Sequence, residues 1–268
     1  MNRAGRDRAP EYWKEGRVLQ IWQGQILARD GALILQNSTN FQSSEDAIYL
    51  GEVNKQHYFV INKEISEPEA SQNLRELAAH LTLADLEIAV TALAIVNWHE
   101  THTHCPRCGA ATKMISNGWV RECEVDGSHH FPRTDPAIIV AVQDRNGRIC
   151  LGRQAIWPEG RYSNFAGFVE PGESLEATVV REVEEESGLI VKDVKYLNSQ
   201  PWPFPNSIML AFEAFTDNPE LAKPDGIEIV DLKWFTKDEL RSAVAGGTLS
   251  VPPITTVSGK MIEAWLNG

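Results

Sequence analysis

The chain has 268 residues and a formal net charge of −12, with a pI near 5.1. That length holds two domains and a sizeable core, and the acidic balance argues against broad non-specific binding to nucleic acid or an anionic membrane. No stretch reaches about 18 apolar residues and MNRAGRDRAPEYW has no signal-peptide core, so no membrane span and a cytoplasmic location are expected.

Residues 1–15 read as a polar start. Residues 17–62 read as strands at 18–22, 25–27 and 32–35, with Asp30-Gly31 as a hairpin turn. A further pair, Ala47–Val53 and 57–61, turns around Asn54. From residue 73 the apolar period lengthens to that of a helix. Two helices are expected, 73–81 and 83–98, with Thr82 as the break. Arg75 is read as a surface arginine, with a place at a domain interface as the alternative.

Residues 102–133 form a small cysteine-bearing unit. Of the four cysteines, Cys105 and Cys108 are spaced C-x2-C before Gly109, which is the spacing of a zinc knuckle. Cys123 follows after a strand expected at 119–121, and no fourth cysteine stands close behind it. Asp126, His129, His130, His102 and His104 are the local candidates for a fourth ligand. A ribbon that kept three thiols and lost its metal is the competing reading. A redox C-x-x-C fits less well, because no βαβ pattern surrounds it. Cys150 lies in an apolar strand and is expected in the core.

Residues 134–268 carry the remaining pattern. Strands are expected at 137–142 and 148–153 around Asn146-Gly147, then at 194–197, 208–215 and 232–235. Helices are expected at 237–244 and 260–266. Between them, Gly167 to Leu189 reads GFVEPGESLEATVVREVEEESGL. Ser174 is a helix N-cap, Glu176 sits in the first turn, and Gly188 is a stop. Glu182, Glu185 and Glu186 share one arc, while Leu175, Val179, Val180 and Val183 face a core. Clustered carboxylates suit hard divalent ions such as Mg²⁺ or Mn²⁺. Taken alone, three glutamates also fit a solvated acidic face.

The full spacing, from Gly167 through Glu173 and Arg181 to Leu189, matches every fixed position of the Nudix box. The chain therefore resembles a Nudix hydrolase. The resemblance implies an α/β/α sandwich and metal-dependent hydrolysis of a nucleoside diphosphate linked to a further group. Downstream stands Ser199-Gln200-Pro201-Trp202-Pro203-Phe204-Pro205-Asn206-Ser207, stiffened by proline. This SQPWPFPxS run, the cysteine unit and FPR-x-DP at 131–136 resemble the NADH pyrophosphatases of the NudC type.

The implied fold class is α+β. It has an N-terminal mixed β/α domain at 1–100, a zinc-ribbon-like insert at 101–133 and a Nudix α/β/α sandwich at 134–268. The implied reaction cleaves NADH or NAD⁺ to a nicotinamide mononucleotide and AMP, and removes an NAD cap from RNA 5′ ends. Glu182, Glu185 and Glu186 match the catalytic, metal-binding carboxylates, and Glu228 matches a further ligand for Mg²⁺ or Mn²⁺. Phe131 matches a ring that stacks on a base or nicotinamide. Gln200, Pro201, Trp202, Pro203, Phe204, Pro205, Asn206 and Ser207 match the substrate pocket, with Ala166 and Ser258 as backbone contacts. Cys105, Cys108 and Cys123 match ligands of a structural Zn²⁺. A homodimer is implied, with each active site built partly from both subunits. Glu173 and Arg181 are expected to brace the loop, and Glu184 to point away. The alternatives are a Nudix hydrolase for another nucleoside diphosphate such as ADP-ribose, and a ligand sensor that no longer cleaves. A nucleic-acid-binding ribbon is weakened by the net charge.

Overall fold

A computed structural model describes residues 1–4 and 6–268. Gly5, within the expected polar start, lies outside the described residues. The chain divides into two compact units, Met1–Thr134 with Trp202–Asn206, and Asp135–Pro201 with Ser207–Gly268.

The first unit opens with a short helix, α1 (Ala9–Tyr12), and then builds a sheet. Its strands are β1 (Arg17–Trp22), β2 (Gln25–Arg29), β3 (Ala32–Leu33), β4 (Gln36–Asn37), β5 (Ala47–Val53), β6 (Gln56–Asn62) and β7 (Ser71–Asn73). The order is β3-β2-β1-β6-β5, with β4 on β1 and β7 on β2. The strand β1 runs parallel to β6 and antiparallel to β2. Both expected turns hold for one reason. Asp30 and Gly31 have φ of 52° and 77°, and Asn54 and Lys55 have φ of 51° and 65°, the left-handed pair that a tight hairpin needs.

The expected helix at 73–81 shrinks to α2 (Leu74–Leu77), capped by the Asn73 side chain, which accepts from the Arg75 N–H at 2.8 Å. Thr82 starts a helix rather than merely breaking one. Its hydroxyl accepts the Asp85 N–H at 3.1 Å and caps α3 (Leu83–Thr101). Ile88, Ala89, Ala92, Leu93 and Val96 of α3 pack with Leu19, Ile21, Leu50 and Val60 of the sheet.

The cysteine unit follows as β8 (Thr112–Ile115), β9 (Val120–Cys123) and β10 (His129–His130), ordered β10-β9-β8 and antiparallel. The strand expected at 119–121 begins one residue later. Ser116, Asn117 and Gly118 all have positive φ, and Trp119 closes their turn by donating its indole N–H to Tyr49 O at 2.7 Å.

The second unit is an α/β/α sandwich. Its strands are β11 (Asp135–Asp144), β12 (Ile149–Gln154), β13 (Phe165–Phe168), β14 (Lys192–Trp202), β15 (Ser207–Thr216) and β16 (Ile229–Phe235). The order is β14-β15-β11-β12-β16, with β13 paired to β11. The central β11 alternates faces, as period two requires. Ile138, Val140 and Val142 meet Val179 and Val183 of α4 (Leu175–Ser187). Ile139 and Ala141 meet the opposite layer, Leu240 of α5 (Lys237–Ala245) and Met261 and Ile262 of α6 (Val257–Asn267). The turn at Asn146-Gly147 is fixed from below by buried Asp144. Its Oδ1 accepts the Asn146 and Arg148 N–H groups at 2.9 Å each, and its Oδ2 meets Arg148 Nε at 2.8 Å. Cys150 is fully buried, as expected. Among the described residues no helix is long and apolar enough to cross a membrane.

Candidate active site and metal-binding ribbon

The helix α4 begins where Ser174 Oγ accepts the Ala177 N–H at 3.2 Å, and it ends at Gly188, whose φ is 66°. Between these ends Val179 and Val183 point into the core at 0% exposure. That rotation fixes where the acids go. Glu186 is carried inward to 4% exposure, while the Glu185 side chain stays 60% exposed and Glu184 faces outward. Glu182 leans over β13. A Cβ built on Gly167 would lie 1.9 Å from Glu182 Cδ, so glycine there leaves the space that the carboxylate uses.

Burial, then the charges of Glu182 and Glu228, push the Glu186 carboxyl up to about 8, against a hydrogen bond from the Ala166 N–H. Its Oε2 is buried with no hydrogen-bond partner. Burial also raises Glu182, opposed by Arg181 and reinforced by Glu185 and Glu228. Glu228 reaches this field from a loop in which its N–H donates to Asp225 Oδ2 at 3.0 Å.

Arg181 braces the site. It gives Nε to Glu173 Oε1 at 2.6 Å and Nη2 to Glu173 Oε2 at 2.9 Å and to Phe168 O at 3.0 Å. Its Nη1 reaches Glu182 Oε1 and Glu185 Oε2 at 2.9 Å each. Arg181, with help from the Glu170 N–H and Thr178, brings Glu173 down to about 2. A buried, unpaired acid oxygen among like charges is what a divalent cation would satisfy, and the donor set is all carboxylate oxygen, as Mg²⁺ and Mn²⁺ prefer.

The residues of the proline-rich run do not act as one strip. Gln200 is committed to the fold. Its amide donates to Thr255 O at 2.8 Å and accepts the Val257 N–H at 2.6 Å, which pins the start of α6. Pro201 follows it in β14, and Ser207 is buried opposite Asp135 where β15 begins. Ser258 is buried too, with its Oγ 2.8 Å from Ser163 Oγ and accepting from Asn164 Nδ2 at 3.0 Å. Trp202, Pro203, Phe204, Pro205 and Asn206 belong to the first unit. There Asn97 donates to the carbonyls of Pro203 and Pro205 at 3.1 and 2.9 Å. The Arg75 guanidinium lies 4.1 Å from the Phe204 ring centroid and 5.1 Å from that of Trp202. Phe131, also in the first unit, is 63% exposed and free to stack.

In the ribbon, Cys105, Cys108, Cys123 and Asp126 bring their ligand atoms within 4.8 Å of one another, the one such group among the described residues. Cys108 Sγ lies 3.5 Å from Cys123 Sγ. Two loops of one design supply them. The Arg107 N–H donates to Cys105 Sγ at 3.4 Å, and the Val125 and Asp126 N–H groups donate to Cys123 Sγ at 3.4 Å each. Gly109 and Gly127 close the loops with φ of 74° and 68°. Such N–H groups orient and neutralise thiolates around a metal. The histidine candidates are placed otherwise. Glu122 lies 3.5 Å from His129, Trp98 O is 3.2 Å from His102, Thr103 Oγ1 is 3.0 Å from His104, and Ser128 Oγ is 3.2 Å from His130.

Three family descriptions match successive parts of the chain. They are an NADH pyrophosphatase-like rudimentary NUDIX domain at 15–98, an NADH pyrophosphatase zinc ribbon domain at 100–131 and a NUDIX domain at 133–252. An NAD-capped RNA hydrolase NudC from Mycobacterium bovis is 35% identical over 99% of this chain and 94% of its own length. The chain belongs to the NudC family of NUDIX hydrolases. A Mycobacterium tuberculosis protein of the same name is also 35% identical over the same shares. The human NAD-capped RNA hydrolase NUDT12 is 38% identical over 71% of this chain and 44% of its own.

Within this NudC-type chain, two residues near the proline-rich run, Arg75 and Asn97, have contacts there that the sequence does not reveal. Arg75 is exposed, as expected, yet it covers two aromatic rings. Asn97 left a weak signal, a polar side chain directly after the apolar run 92–96 of α3.

Proposed function

We propose that the chain hydrolyses the pyrophosphate bond of NADH or NAD⁺ to a nicotinamide mononucleotide and AMP, and by the same cut removes the NAD cap from RNA 5′ ends. The observation that carries this reading is the buried, partnerless Oε2 of Glu186 amid Glu182 and Glu228, set in a complete box. The relatives that span the chain are named NAD-capped RNA hydrolases, and two of the matching family descriptions name NADH pyrophosphatase. Glu182, Glu185, Glu186 and Glu228 would hold Mg²⁺ or Mn²⁺, which supplies charge neutralisation at the two phosphates and an acidified water. A glutamate of the cluster, Glu185 or Glu186, would take up the proton of the attacking water through an oxygen that does not hold the ion. Arg181 holds the box loop to the helix and keeps Glu182 and Glu185 in place. The resemblance assigns Phe131, Trp202 and Phe204 to stacking on the base or nicotinamide, while Gln200 and Ser258 serve by fixing the backbone of the sandwich.

The ribbon holds a structural Zn²⁺ on Cys105, Cys108 and Cys123, and the protein works as a homodimer. The test is a panel of NADH, NAD-capped RNA and ADP-ribose, with Mg²⁺ or Mn²⁺ added. Turnover of NADH or capped RNA at least about tenfold above ADP-ribose supports the reading. Preference for ADP-ribose, or binding of all three without cleavage, overturns it.

A further inference from the structure

We propose that Asp126 is the fourth ligand of the ribbon's metal, bound through Oδ2 alone, and that this three-thiolate, one-carboxylate site exchanges its metal more readily than a four-thiolate ribbon would. The proposal rests on the reading of the ribbon as a zinc site. It begins with the likeness of the two loops. Cys105-Pro106-Arg107-Cys108-Gly109 and Cys123-Glu124-Val125-Asp126-Gly127 place their residues in register. The first cysteine receives one backbone N–H on sulfur in the first loop and two in the second, and in each its carbonyl accepts the N–H of the closing glycine, at 2.9 Å from Gly109 and 3.1 Å from Gly127. Asp126 thus stands where Cys108 stands.

The two carboxylate oxygens of Asp126 are not equivalent. Oδ1 accepts the Ser128 N–H at 2.9 Å and the Ser128 hydroxyl at 2.5 Å. That hydroxyl lies 3.2 Å from His130 Nε2, so the residue that holds Oδ1 is itself held. Oδ2 faces the sulfurs, 3.9 Å from Cys105 Sγ. Arg107 Nε approaches Oδ2 at 3.9 Å, beyond hydrogen-bond reach. A turn that used Asp126 only to bond the backbone two residues on would account for Oδ1. It gives no reason for Oδ2 to stand 3.9 Å from Cys105 Sγ, nor for the Asp126 carboxylate to join three thiols within 4.8 Å.

Three thiolates and a carboxylate carry the same total charge as four thiolates, so the site still neutralises a divalent ion. What changes is softness. A carboxylate oxygen binds Zn²⁺ and Co²⁺ but gives soft cations less than a thiolate does, and water displaces it more easily. Ser128 becomes the partner that orients the oxygen ligand.

The experiment uses the full-length protein, with metal content measured directly and Co²⁺ as the spectroscopic probe. The wild type is expected to hold one equivalent in the ribbon, with tetrahedral Co²⁺ bands and the sulfur charge-transfer intensity of three thiolates. In Asp126→Cys that intensity rises by about a third, as three thiolates become four, and transfer of metal to a chromogenic chelator slows. In Asp126→Ala transfer speeds up by about tenfold or more, and Ser128→Ala moves the same way by a smaller factor. A wild type with its metal and an Asp126→Ala variant with unchanged spectrum and exchange rate would remove Asp126 from the site and leave the zinc reading standing. Unchanged charge-transfer intensity in Asp126→Cys would do the same, even where the alanine variant fails to fold. A wild type that binds neither Zn²⁺ nor Co²⁺ in the ribbon overturns the zinc reading, and this proposal with it.

Discussion

Gly167 and Glu182 show how closely one residue's absence of side chain sets another's position. The β13 backbone at 167 needs no left-handed conformation, so the requirement comes from space alone: a methyl there would meet the end of Glu182 at 1.9 Å. The end of a glutamate can swing aside cheaply, whereas a misplaced metal ligand is costly to catalysis. Gly167→Ala is therefore expected to lower kcat by at least about tenfold while the melting temperature moves by only a few degrees. Glu184→Gln, on the outward face, should leave both unchanged. Thermal melts beside steady-state rates check all of these numbers. The box spacing made Gly167, Glu182 and Glu186 legible in the sequence, because helical periodicity is local. The brace was legible only in its Glu173–Arg181 pair. Its further bonds to Glu182, Glu185 and Phe168 depend on a side-chain path that spacing does not encode. Asp126 was legible and undervalued, since C-x2-D-G repeats C-x2-C-G in plain view.

At the scale of elements, two junctions carry measurable energy. His99 joins α3 to the ribbon. Its Nε2–H donates to Gly118 O at 2.8 Å and its Nδ1 accepts from Arg121 at 2.9 Å, an arrangement that requires the neutral ring. Burial, opposed by Gly118 and aided by Arg121, lowers its pKa from 6.5 to about 4. The unfolded chain therefore binds the extra proton first as pH falls. This contribution to stability is complete above pH 6.5 and is lost between 6.5 and about 4, up to about 3 kcal/mol in all. Urea midpoints at pH 7 and pH 5 should fall less steeply for His99→Gln than for the wild type, and equal slopes would dismiss the role. The second junction is the β11–β12 turn, where Asp144 accepts two backbone N–H groups and the Arg148 guanidinium. Asp144→Ala strands those donors and should cost about 2–3 kcal/mol, read from denaturant unfolding. The cap at Ser174 and the stop at Gly188 could be read from sequence, since each acts within four residues, whereas Thr82 read only as a break and proved to be a cap. The shortening of α2 and the tenure of Gln200 and Ser258 as structural residues could not, because their partners lie far along the chain.

Across the whole molecule, the order of parts was legible from the change in apolar period and from the cysteine spacing. What the N-terminal region is was not. It carries a rudimentary version of the catalytic domain's family pattern, with no box to reveal it. Nor did sequence foretell that Trp202–Asn206 group with that region while Gln200 and Ser207 stay with the sandwich. The proposed homodimer predicts sedimentation at twice the 29.9 kDa chain mass, and a concentration-independent monomer would refute it. The central claim is that the glutamate helix directs water onto a dinucleotide pyrophosphate. Its most direct test is the NADH reaction run in ¹⁸O-labelled water with Mg²⁺ or Mn²⁺, its products weighed by mass spectrometry beside Glu186→Gln. The account predicts AMP and reduced nicotinamide mononucleotide, one labelled oxygen on a single phosphate, and loss of nearly all product in the folded variant. Release of free nicotinamide with the pyrophosphate intact, or wild-type rates in Glu186→Gln, would contradict it.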